Sequence, residues 1–129
     1  MNHQIVIHYR DGRIVKGITD DFLPHHERFH VTPPGGRSCE VRLKDLKAVF
    51  FVRDLVGNSR HHKSNVPVPG VPLGGRKLRV VFQDGEVMVG ASEAYHTDHP
   101  GFFLTPVDLG SNNARCFVVS EATREIQYI

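Results

Sequence analysis

Nine histidines in a chain of 129 residues are the first side chains with chemistry to offer. Several cluster, as His25-His26 with His30, His61-His62, and His96 with His99. Imidazoles three or four residues apart make zinc ligands when a helix presents them on one face. Here the spacings fall in loop-like sequence and no cysteine or carboxylate completes a ligand set, so no metal site is expected. The two cysteines, Cys39 and Cys116, could close one disulfide, but they read as reduced core or strand-edge residues of a cytoplasmic protein. Signatures of catalysis are missing as well: there is no Gly-x-Ser-x-Gly and no phosphate-binding glycine loop. Between Gly70 and Gly75 the chain carries proline where a phosphate cradle needs backbone N–H groups. A protein without enzymatic activity or cofactor is expected.

Charge gives a second candidate. From Arg53 to Arg79 the chain holds six basic residues against the single acid Asp54, a net +5, leaving −3 for the remainder at a total of +2. Arg60, Lys63, Arg76, Lys77 and Arg79 could therefore contact an anionic partner, nucleic acid included, through phosphate neutralisation that salt would weaken. The aromatic residues that a base-stacking platform needs are not interleaved with these cations. Otherwise the segment is a solvated basic hinge.

The elements that must position these residues come from an internal duplication. At an offset of 73, the segment from Ile5 to Pro33 lies ungapped over Leu78 to Pro106, matching Asp11 with Asp84, Gly12 with Gly85, Gly17 with Gly90, His26 with His99, and Phe29 and Thr32 with Phe102 and Thr105. After a four-residue insertion around Gly110 to Asn113 the offset becomes 77. Cys39 then meets Cys116, and Val49, Phe51 and Val52 lie over Ile126, Tyr128 and Ile129. Within each copy, Ile5, Ile7 and Tyr9 alternate with Val6, His8 and Arg10, the period of a strand with one buried face. Asp11-Gly12 predicts a two-residue type I′ hairpin, and Gly17 a bulge or sharp bend in the return strand from Ile14 to Thr19. Strands over Arg28 to Thr32 and Glu40 to Leu43, a turn at 44–46, and a strand from Ala48 to Arg53 buried on both faces complete the unit.

The pattern of apolar run, Asp-Gly, apolar run, Gly and polar stretch, at Ile7 to Gly17 and again at Val80 to Gly90, resembles the opening of Sm-like and SH3-like small barrels, and the doubled arrangement is similar to that of an uncharacterised bacterial domain family. The expected fold is all-β, with two tandem five-stranded, strongly bent small barrels related by internal duplication. The units span 1–53 and 78–129, with a basic Pro/Gly-rich linker at 54–77. Sm-like proteins commonly bind RNA, so the resemblance adds to the nucleic-acid reading. A cyclic-dinucleotide barrel of the PilZ type is a more remote alternative, because the arginine pair and the Asp/Asn-x-Ser-x-x-Gly of that family are missing.

Hydrophobic residues are 40% and charged residues 23% of the chain, ordinary values for a packed globule. The apolar run from Ala48 to Val52 is too short to cross a bilayer, and Met1 to Arg10 lacks the apolar stretch of a signal peptide. A binding or adaptor module is thus expected, engaging an unknown protein partner or a second copy of itself, with no membrane. The groove between copies is the candidate site, and Phe50, Phe51 and Tyr128 on the closing strands serve as core or as docking surface. Elemental analysis of the purified protein should return no stoichiometric zinc; a value near one metal per chain would overturn this reading of the histidines.

Overall fold

The computed structural model describes residues 2–55, 74–93, 95, 99–108 and 112–129. The first half lays down β1 (His3–Tyr9), β2 (Ile14–Thr19), β3 (Arg28–Val31), β4 (Cys39–Arg42), a 3-10 turn (Leu43–Asp45) and β5 (Leu46–Val52). The second half repeats that order as β6 (Arg76–Phe82), β7 (Val87–Ser92), β8 (Gly101–Pro106), β9 (Asn113–Val119), a 3-10 turn (Ser120–Ala122) and β10 (Thr123–Tyr128). The all-β expectation holds for the described residues. Arg76 and Lys77, assigned from sequence to the linker, open β6; the rest of that linker from 56 to 73 lies outside the described residues, Arg60 and Lys63 included.

Two separate closed barrels are not what the described strands form. Eight of them make one antiparallel sheet in the order β10-β6-β7-β8-β9-β5-β1-β2, and β3 with β4 makes a second, two-stranded sheet. The halves are joined by a ladder between β5 and β9, with Ala48 opposite Val118, Val49 opposite Phe117, Phe50 opposite Cys116 and Phe51 opposite Arg115. Separate barrels were expected because the sequence shows the repeated unit and its spacer, whereas strand pairing between units leaves no local signal.

Because β5 lies between β1 and β9, its alternating side chains fill the structure on both faces. Phe51 joins Phe22, Phe103 and Phe117 in a cluster of edge-to-face and tilted rings that draws on both halves, while Phe50 stands beside His8, with ring centres 4.7 Å apart. Ala48, Val49, Phe50 and Phe51 are all buried. The burial on both sides expected of this strand is therefore observed.

The hairpins differ from the two-residue turn expected at Asp-Gly. Gly12 and Gly85 have φ of 96° and 94°, but no residue other than glycine has positive φ among the described residues, which rules out type I′. Instead the Gly12 and Gly85 N–H groups donate to the Tyr9 and Phe82 carbonyls, and the Tyr9 and Phe82 N–H groups to the Arg13 and Glu86 carbonyls. This is a three-residue loop, a type I turn followed by a left-handed glycine. Each aspartate accepts the backbone N–H two residues on, Asp11 from Arg13 at 3.0 Å and Asp84 from Glu86 at 2.9 Å, which steadies that turn.

Gly17 and Gly90 mark the tight bends. A Cβ on Gly17 would stand 2.6 Å from the Thr32 carbonyl oxygen, and one on Gly90 2.5 Å from that of Thr105, so the same backbone crossing occurs in both halves at matched positions. Gly17→Ala and Gly90→Ala should each lower the unfolding free energy by about 1–3 kcal/mol, the scale of forcing a methyl into a packed site. Urea denaturation measures it; a change within a few tenths would show that the crossing relaxes freely.

Candidate functional site

The ladder between β5 and β9 fixes what lies along the junction of the two halves. A cleft of about 460 Å³ opens there. One wall is residues 26–28 at the start of β3 with Arg42, Leu43 and Lys44 where β4 runs into its 3-10 turn; the other is Pro100, Val119 and Glu121 of the second half. The wall from the first half is held together by the Leu43 N–H donating to the Glu27 carbonyl at 2.8 Å. Leu43, Pro100 and Val119 give an apolar floor, with Leu43 and Val119 buried. Charge stands around that floor.

The charges divide into paired and unpaired groups. Arg28 meets Glu40 at 3.1 Å, and Glu121 meets Arg10 at 3.7 Å, both on exposed side chains. Arg42 and Lys44 are exposed, and neither side chain has an ion-pair or hydrogen-bond partner among the described residues. Solvated cations beside an apolar floor can bind an anionic segment without first breaking an internal contact.

Away from the cleft lining, the halves are pinned by a second charged contact. Lys47 of β5 is 11% exposed and donates to Asp84 at 2.7 Å and also to Glu86, both in the hairpin of the second half, while its ammonium sits 4.8 Å from the Phe82 ring centre. Burial alone would lower the Lys47 pKa, but the hydrogen bonds to the two carboxylates outweigh it and raise the value. The hydrogen bond from Lys47, with the Glu86 N–H, holds the Asp84 pKa below its ordinary value. His8, close by, has its pKa lowered by burial and by the Lys47 charge.

Of the residues singled out from sequence, Phe50 and Phe51 are 5% exposed, so they lie within the junction of the halves and not on an outer docking surface. Their size and the two-sided burial of β5 account for this. Tyr128 is 52% exposed on the edge strand β10. The Arg76 guanidinium lies 4.0 Å from its ring centre and Tyr95 packs on its edge at 6.1 Å, an aromatic contact to a basic residue that the linear spacing concealed. Arg76, Lys77 and Arg79 alternate along β6, so Arg76 faces one side of the sheet and Lys77 and Arg79 the other. The three described members of the basic set therefore do not share one face of the sheet, while Arg60 and Lys63 lie outside the described residues. Cys39 is exposed, Cys116 is buried, and neither forms a disulfide. No group of three potential metal ligands comes together among the described residues, and no helix there is long and apolar enough to cross a membrane.

Sequence reasoning missed Arg42, Lys44 and Lys47. Arg42 closes β4 and Lys44 stands in the turn after it, and a charge at either place is ordinarily a solvated residue. The only signal for Lys47 was a cation adjoining the most apolar run of the chain.

The depressed pKa of Asp84 makes its contact with Lys47 stabilising above the unfolded value near 3.9, and that contribution is lost as the pH falls through the lower folded value. Wild-type stability should accordingly fall more steeply below about pH 4 than that of Asp84→Asn or Lys47→Met. Denaturation midpoints across that range test it, and equal slopes would show the contact to be energetically neutral.

No curated protein and no solved structure matches the chain. A model of a family of unknown function (DUF6982) matches residues 1–129, and the chain therefore belongs to that family.

Proposed function

We propose that the protein is a non-enzymatic binding module, two tandem Sm-like or SH3-like units that act as an adaptor by holding an acidic segment of a partner protein in the cleft between them. The observation that carries this reading is the cleft itself. It is built by both halves, has the apolar floor of Leu43, Pro100 and Val119, and is flanked by Arg42 and Lys44, whose side chains have no partner among the described residues. A volume of about 460 Å³ is enough for one or two side chains of a bound peptide. An apolar anchor with charge around it is the usual anatomy of a small recognition site.

One observation favours a second reading, nucleic-acid binding where β6 lies beside the edge strand β10. Arg76 and the exposed Tyr128 ring form a cation and stacking pair, with Lys77 and Arg79 nearby in sequence.

Fluorescence anisotropy with a labelled acidic peptide and with labelled single-stranded RNA, at low and moderate salt, separates the two. The cleft reading expects salt-sensitive peptide binding that is lost in Arg42→Glu/Lys44→Glu and kept in Arg76→Glu/Lys77→Glu/Arg79→Glu. RNA binding abolished only by the triple variant, with no peptide binding, would replace it by the nucleic-acid reading.

A further inference from the structure

The internal repeat provides a template for how a partner could dock. At the offset of 77, β4 is the counterpart of β9, and β9 accepts β5 as an antiparallel neighbour. β4 pairs only with β3 among the described strands, so the edge used by β9 to bind β5 carries no described neighbour on β4. That edge ends in Arg42, Leu43 and Lys44, which are part of the cleft wall. An edge with unpaired backbone groups accepts an extended strand, whose side chains then choose the partner.

We propose that the partner segment docks as an antiparallel strand on the free edge of β4, in the register that β5 adopts on β9, with an acidic side chain meeting Arg42. This rests on the cleft reading and adds its binding mode. Transferring the β5 ladder sets one residue opposite Val41, one opposite Glu40 and one opposite Cys39, in the places that Ala48, Val49 and Phe50 take opposite Val118, Phe117 and Cys116. Val41 is buried and faces the core, so the residue opposite it must be small and apolar. The residue before that one takes the place of Lys47 and comes to Arg42, where a carboxylate is favoured. A polar residue suits the place opposite Glu40, and an apolar one the place opposite Cys39. Read from the N-terminus, the segment is acidic, small apolar, polar, apolar.

A second copy of this chain offers the wrong strand. The counterpart of β5 is β10, which would bring Arg124 to Arg42 and set Glu125 opposite the buried Val41. Like charges and a carboxylate over an apolar position both oppose that pairing.

Nuclear magnetic resonance of the labelled full chain with a serine-flanked Glu-Ala-Thr-Val peptide, and with the same peptide carrying Lys for Glu, tests the proposal. Intermolecular backbone contacts should run along 38–42, and the Lys peptide should bind about two- to fivefold more weakly, the scale of one exposed ion pair. Arg42→Glu should reverse that order. Peptide binding confined to 26–28, Pro100 and Val119, with no reversal in Arg42→Glu, would overturn strand docking and leave the cleft reading in place. Failure of any acidic peptide to bind would remove both. Concentration-dependent self-association that is lost on mutating β10 would assign the edge to a second copy and also overturn the proposal.

Discussion

Everything in this fold is arranged around two adjacent strands that belong to different repeats. β5 and β9 are hydrogen-bonded to each other inside the eight-stranded order, and each also pairs outward with a strand of its own half. A strand with neighbours on both edges and packing on both faces cannot carry polar side chains at its centre, because each would be stripped of water without a partner. The sequence of β5 obeys that constraint from Ala48 to Val52, and Phe117, Val118 and Val119 of β9 do the same. The one cation of β5, Lys47, sits near its start and is satisfied by two carboxylates of the other half. Sheet formation between repeats, packing of the rings and this ion pair are thus one requirement met three ways.

The same requirement explains where the repeats differ. The face of β8 and β9 that receives the first half carries Phe103 opposite Phe117. The corresponding face of β3 and β4 receives no described strand of the other half and carries His30 opposite Glu40. His30 is engaged by Asp21, whose side chain accepts the His30 backbone N–H at 2.8 Å and meets the ring nitrogen at 2.7 Å, and Glu40 by Arg28. Features internal to one repeat are retained in both: the left-handed glycines, the Asx-stabilised hairpins and the crossing at Gly17 and Gly90. Features of the joint occur once. Apolar residues were therefore kept where they close a unit and placed asymmetrically where one unit covers the other.

What was legible in the sequence follows this division. Strand periodicity, the double set of glycines and the order of elements are local or repeated signals, and they identified the all-β class and strand positions to within a residue or two. The hairpin type was misread because Asp-Gly fits both a two-residue loop and a three-residue loop, and only the hydrogen bond from Gly12 to Tyr9 distinguishes them. The shared sheet was invisible because pairing of β5 with β9 is a relation between distant strands; the two-sided apolarity of β5 announced that it would be covered, without naming what covers it. Arg42 and Lys44 were hidden for a related reason, since a cation in a turn takes on meaning only when Pro100 and Val119 are brought opposite it.

That asymmetry bears on function. A duplicated unit whose two copies were equivalent at every surface would carry the joint at both ends and add further copies of itself, since a head-to-tail contact that does not close propagates. Here the exposed ends of the repeat have diverged in polarity: β10 carries Glu125 and Gln127 where β5 carries Ala48 and Phe50, and β4 carries Glu40 and Arg42 where β9 carries Phe117 and Val119. Charged edges discourage pairing with identical strands. They do not discourage pairing with a strand of complementary charge, and among the described strands β4 combines an edge without a neighbour, an apolar cleft and cations with no carboxylate partner among the described residues. Selection for solubility alone would place charge on both edges without regard to the cleft, whereas the recognition role proposed above would account for both the charge and its position beside Leu43, Pro100 and Val119.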